Sequence, residues 1–106
     1  MSKWLGVAPA TEILPDKPVC VEFEDIRVLV FNLDGEFYAL QDVCTHDGGN
    51  LNCAKIDGQQ IICPRHGARF SIRNGAALSA PAYEAIRTFP TRINNGEVQV
   101  CDNRWG

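Results

Sequence analysis

At 106 residues, 45% hydrophobic and 22% charged, the chain has the length and composition of one ordinary globular domain rather than a disordered tail or a two-domain protein. The net charge is −3 and the ten Lys and Arg residues are scattered, which argues against a nucleic-acid partner. The longest apolar runs, such as Val28-Leu29-Val30-Phe31, are far too short to span a membrane as a helix.

In chain order, the start carries one Lys and no sustained apolar run, so it does not read as a secretory signal. A cytoplasmic location is therefore expected. There thiols stay reduced, and clustered Cys and His point to metal rather than to disulfides. Five cysteines, an odd number, also fit a fully paired disulfide framework poorly. Three Asx-Gly pairs then stand between short apolar or alternating runs: Asp34-Gly35 between 27–31 and 36–40, Asp57-Gly58 between 54–56 and 59–63, and Asn95-Gly96 between 91–93 and 97–101. Asn and Asp followed by Gly tolerate the positive φ of tight turns, so each pair predicts a β-hairpin. Asn74-Gly75 predicts a further turn after 68–72. No window has the period of a useful amphipathic helix, and six prolines interrupt the chain. The expected fold class is all-β, with roughly eight to ten short antiparallel strands of the usual ~5–6 residues.

The stretch 43–51 fits neither period, yet it holds a Cys, a His and two Gly. Irregular loops that keep ligand-type side chains usually do so for function. Its Cys44-Thr45-His46 and the later Cys63-Pro64-Arg65-His66 contain both histidines and two of the five cysteines of the chain. Such pairing is hard to obtain by chance and predicts a metal centre held by Cys44, His46, Cys63 and His66. A Cys₂His₂ set also describes a zinc finger, in which one hairpin supplies two Cys and one helix two His. Here each segment supplies one of each and no helix is expected, which disfavours zinc. Gly48-Gly49 and Gly67 follow the two segments, where glycine would let backbone N–H groups approach a cluster closely.

Cys-x-His, a sixteen-residue spacer and Cys-x-x-His resemble the pattern of the Rieske family, and the chain looks like the soluble Rieske-type ferredoxins of bacterial ring-hydroxylating dioxygenases. The likeness includes Cys44-Thr45-His46-Asp47-Gly48, Cys63-Pro64-Arg65-His66-Gly67-Ala68-Arg69-Phe70 and Pro81-Ala82, and runs from about Trp4 to Cys101. It implies a Rieske-like fold of stacked sheets over residues 1–106, with two ligand loops in a cluster-binding part at roughly 42–82. It also implies one [2Fe–2S] cluster, with Cys44 and Cys63 on one iron and His46 and His66 on the other. Two thiolates rather than four leave the oxidised site neutral, so an electron adds more easily, at a potential within about −150 to +300 mV. High-potential relatives carry a disulfide between the loops and hydroxyl donors to the cluster. This chain has Gly49 and Arg65, and Ala68 and Phe70, at those places, which implies the low-potential branch.

The function implied by the resemblance is electron carriage in aromatic hydrocarbon catabolism, without catalysis by the chain itself. The partners would be a flavin-dependent NAD(P)H ferredoxin reductase and a terminal oxygenase. The small Rieske-like subunit of an assimilatory nitrite reductase is the alternative, although many members of that group lack the ligands. Among the other residues, Cys20, Cys53 and Cys101 are expected to be core or inert thiols. Asp47 and Arg65 are expected as solvated or partner-facing charges, Pro81 as a cover for the cluster, Trp4 and Trp105 as packing at the termini, and Glu22-Phe23-Glu24-Asp25 as a solvated turn.

Overall fold

The apolar run Val28 to Phe31 is continuous because its strand is buried on both faces. Val28 and Val30 point into one core, with Ala39, Phe89, Val98 and Val100. Leu29, Phe31 and Leu33 point into another, with Leu40, Ile61 and Phe70. A strand covered on one face alternates with polar residues, and one covered on both does not.

The computed structural model describes residues 3–45, 48–51, 54–65 and 67–103. Among these residues the strands are β1 (Lys3–Pro9), β2 (Val19–Glu22), β3 (Arg27–Leu33), β4 (Glu36–Gln41), β5 (Lys55–Asp57), β6 (Gln60–Ile62), β7 (Arg69–Ser71), β8 (Thr88–Phe89), β9 (Thr91–Asn94) and β10 (Glu97–Asp102). The described residues contain no α-helix, only a 3-10 turn at Ala10–Glu12, and none of the helices is long and apolar enough to cross a membrane. The fold is all-β, as expected. A central sheet in the order β2-β3-β4-β8 shares one core with the sheet β1-β10-β9. It shares the other with the small sheet β5-β6-β7, and every pairing is antiparallel.

The three Asx-Gly hairpins form, one of them with a shifted turn. Asp34-Gly35 (φ 52° and 87°) and Asn95-Gly96 (φ 53° and 80°) both have positive φ at the two central positions, as a type I′ turn requires. In the middle hairpin Asp57 pairs with Gln60, so the turn is Gly58-Gln59 rather than Asp57-Gly58. Only Gly58 has positive φ (60°), the pattern of a turn with glycine first.

Gly75 turns the chain after β7 at φ 74°, and its carbonyl accepts the Ile86 N–H at 2.8 Å. A Cβ there would collide with the Ile86 carbonyl oxygen. This junction fastens the small sheet to the segment that returns to β8. β1 and β10 close the chain termini on each other, with Trp4 opposite Cys101 and the Arg92 guanidinium 4.0 Å from the Trp4 ring centroid.

Candidate metal centre

Two loops leave the small sheet and the central sheet with the same backbone design. After β6, the Cys63 N–H donates to the Ala68 carbonyl (2.8 Å) and the Gly67 N–H donates to the Cys63 carbonyl (3.0 Å). After β4, the Cys44 N–H donates to the Gly49 carbonyl (2.7 Å) and the Gly48 N–H donates to the Cys44 carbonyl (2.7 Å). In each loop the cysteine opens the turn and a glycine four residues later closes it, at φ 75° for Gly48 and 73° for Gly67. A Cβ at either glycine would meet nothing within 4 Å, so the left-handed backbone rather than space calls for glycine.

The two cysteines, 0% and 1% exposed, belong to one apolar core with Leu51, Ile61, Ala68, Phe70 and Ala82. Both thiols therefore lie in one dry environment. Ala68 and Phe70 are fully buried in that core and neither side chain can donate a hydrogen bond. Ala82, four per cent exposed, packs into it next to the half-buried Pro81. The segment containing Pro81 is tied to the first loop, because the Thr45 hydroxyl donates to the Glu84 carbonyl at 2.6 Å. His46, Asp47, Cys53, His66 and Trp105 lie outside the described residues. Within the described residues, no group of three or more His, Cys, Asp and Glu side chains gathers into a metal site.

Two residues that frame the loops were not singled out for that role by the sequence. Asp42 follows β4, and its side chain is fully shielded from solvent. Its Oδ1 accepts the Leu51 N–H at 2.5 Å, while its own N–H donates to the Arg27 carbonyl at 2.7 Å. The carboxylate thus ties the far end of the first loop to its start. Its Oδ2 has no hydrogen-bond partner and faces Arg27 Nε at 3.8 Å, an electrostatic rather than a hydrogen-bonding distance. The Arg27 guanidinium is held above its already high ordinary pKa, first by Cys20 and then by Asp42. The only sequence signal for Asp42 was an acid directly after an apolar strand and two residues before a ligand-type Cys.

Arg65 is the second. It is exposed, as expected of a solvated or partner-facing charge, and its side chain also reaches across to the first loop. Its Nη2 donates to the Asn50 carbonyl at 2.9 Å, and its guanidinium lies over Gly49.

The remaining expectations divide. Cys101 is a core thiol, whereas Cys20 is exposed on β2. Glu22, Glu24 and Asp25 are exposed around a tight turn in which Phe23 N–H donates to the Ile26 carbonyl at 2.9 Å. Phe23 itself is half-buried, edge-on to Phe89 with 5.3 Å between ring centroids.

Comparison with known proteins matches this architecture. The naphthalene 1,2-dioxygenase ferredoxin component of Pseudomonas putida is 32% identical over 98 residues, covering 92% of this chain and 94% of that protein. The biphenyl dioxygenase ferredoxin subunit of Pseudomonas sp. strain KKS102 is 36% identical over 94 residues, covering 88% and 86%. A chain in the solved complex of reduced oxygenase and oxidized ferredoxin of carbazole 1,9a-dioxygenase superposes with a TM-score of 0.87 at 32% identity, covering 92% and 91%. A putative NADH-dependent nitrite reductase small subunit from Mycobacterium tuberculosis shares the fold at a TM-score of 0.83 and 22% identity, covering 95% and 96%. The family model for the Rieske [2Fe-2S] domain matches residues 3–90, and with these relatives it establishes that the chain belongs to the Rieske [2Fe–2S] family and has one Rieske-type cluster as its cofactor.

Proposed function

We propose that this chain is the electron-carrying ferredoxin of a ring-hydroxylating dioxygenase system. It would take single electrons from a flavin-dependent NAD(P)H reductase and pass them to a terminal oxygenase in the cytoplasm, without catalysing a reaction itself. Residues 1–106 form one domain in this reading, with the cluster-binding part at roughly 42–82. Cys44 and Cys63 hold one iron as thiolates, and His46 and His66 hold the other. The observation that carries the assignment is the repeated loop, which delivers both cysteines by the same pair of backbone hydrogen bonds.

The residues present fit a [2Fe–2S] group. Two buried thiols belong to one apolar core, a left-handed glycine closes each loop, and each ligand-type His lies by sequence between its cysteine and the closing glycine. When bound, the cluster supplies a one-electron couple. The chain's own part is to exclude water from the thiol side with Leu51, Ile61, Phe70 and Ala82. Buried Ala68 and Phe70 offer no donor that would favour added negative charge, which supports a low potential. The naming of relatives as ferredoxin components supports the carrier role over the nitrite-reductase alternative, for which the likeness is one of fold alone.

The test is reconstitution with a flavin-dependent reductase and a terminal oxygenase. NADH-driven hydroxylation should require the chain and rise with its concentration. Turnover that is independent of the chain, or a reduced chain that no oxygenase reoxidises, would refute the reading.

A further inference from the structure

We propose that Arg65 is a non-covalent clamp between the two loops, and that it controls how fast the cluster is lost. The proposal rests on the reading of 44–49 and 63–68 as ligand loops. Arg65 stands in the second loop between Cys63 and His66. Its Nη2 reaches the residue directly after the first loop and donates to the Asn50 carbonyl at 2.9 Å.

The fit over Gly49 is tight. A Cβ built on Gly49 would lie 2.6 Å from Arg65 Cζ and 2.7 Å from Nη2, well inside van der Waals contact. Gly49 is not in the left-handed backbone region, so alanine there would be conformationally tolerated. An alanine methyl would instead push the guanidinium, the free end of an exposed and flexible side chain, off Gly49. The two positions are therefore coupled, with a bare backbone on one loop and a flat cation with directed donors on the other. Lysine offers a point charge without the planar fork and cannot both cover Gly49 and reach the Asn50 carbonyl in the same way. Parting of the loops would open the cluster to a chelator, so a contact that joins them slows release by that route.

The experiment uses the purified, cluster-loaded protein in excess ferrozine, with the decay of visible absorbance giving the loss rate. Arg65→Ala should lose its cluster about five- to tenfold faster than the unsubstituted chain, and Arg65→Lys nearly as fast. Gly49→Ala should also accelerate loss, although Arg65 is intact, because the new methyl displaces the guanidinium. In the Arg65→Ala background the same Gly49→Ala change should have almost no further effect. Such non-additivity is the signature of two residues acting through one contact.

Reduction potential separates the clamp from simple charge. Arg65→Ala should lower it by removing a cation near the cluster, whereas Arg65→Lys and Gly49→Ala should leave it almost unchanged. Loss at the unsubstituted rate in Arg65→Ala, a fall in potential without faster loss, or additive effects in the double variant would overturn the clamp. Failure of the unsubstituted chain to hold any cluster would instead overturn the ligand reading, and the clamp with it.

Discussion

Asp42 shows how a single buried carboxylate can organise a ligand loop without touching the ligand. Leu51 is buried, so removing the acceptor of its N–H leaves a donor that water cannot satisfy. That costs about 1–3 kcal/mol, and each kcal/mol is worth roughly 4–8 °C of melting temperature in a domain near this size. Asp42→Ala should therefore melt lower by that measure in a thermal scan. Asp42→Asn, which keeps an acceptor for Leu51, should fall clearly less. Equal losses in the two would mean that charge rather than the hydrogen bond matters at this position. Ala68 offers a complementary test of redox chemistry. A hydroxyl at Ala68→Ser aimed at cluster sulfur would strengthen on reduction, because reduction adds negative charge. A difference of ~1.4 kcal/mol corresponds to ~59 mV for a one-electron couple, and the whole of a charge-assisted bond is worth only about 1.5–3 kcal/mol. A rise on the order of tens of millivolts is expected in protein-film voltammetry. An intact cluster with an unshifted potential would place the control of potential elsewhere.

Among the elements, the hairpins were the most legible in the sequence, because two left-handed residues in a row leave a chemical mark that few residue types can make. Asp34-Gly35 and Asn95-Gly96 fall where they were expected. The Asp57-Gly58 turn moved by one residue, since a glycine can serve at either central position and the Asp57–Gln60 pairing decides which. β1 was not legible. Its register shifts between Gly6 and Ala8, and its exposure follows no period of two, so alternation fails as a signal. β8 has only two residues and owes its existence to β4 beside it. In the candidate site, the two cysteines could be read directly from their spacing with the histidines. The ties made by Asp42 and Arg65 could not, because each depends on a backbone carbonyl or N–H that comes close only after folding. The glycines also differ by element in a way that can be measured. Gly75→Ala combines a left-handed backbone with a collision against the Ile86 carbonyl, whereas Gly35→Ala meets nothing and bears only the backbone cost of roughly 1–2 kcal/mol. Chemical denaturation should show Gly75→Ala to be the more destabilising by a clear margin. The reverse order would mean that the junction between the small sheet and the 86–89 segment contributes little to stability.

At the scale of the molecule, one strand buried on both faces allows the central sheet to serve two cores. The face with Val28 and Val30 packs against the sheet that closes the termini, and the face with Leu29 and Phe31 supports the two cysteines. In the proposed centre, two thiolates and two imidazoles hold the cluster. Since the chain has only two histidines, ¹⁵N-histidine labels His46 and His66 and no others. Pulsed paramagnetic resonance on the reduced, labelled protein should reveal strong coupling from two histidine nitrogens, and His46→Ala or His66→Ala should abolish the normal signal together with stoichiometric iron and acid-labile sulfide. A fully formed cluster with no histidine nitrogen coupling, or one that survives unchanged in either variant, would rule out His46 and His66 as ligands.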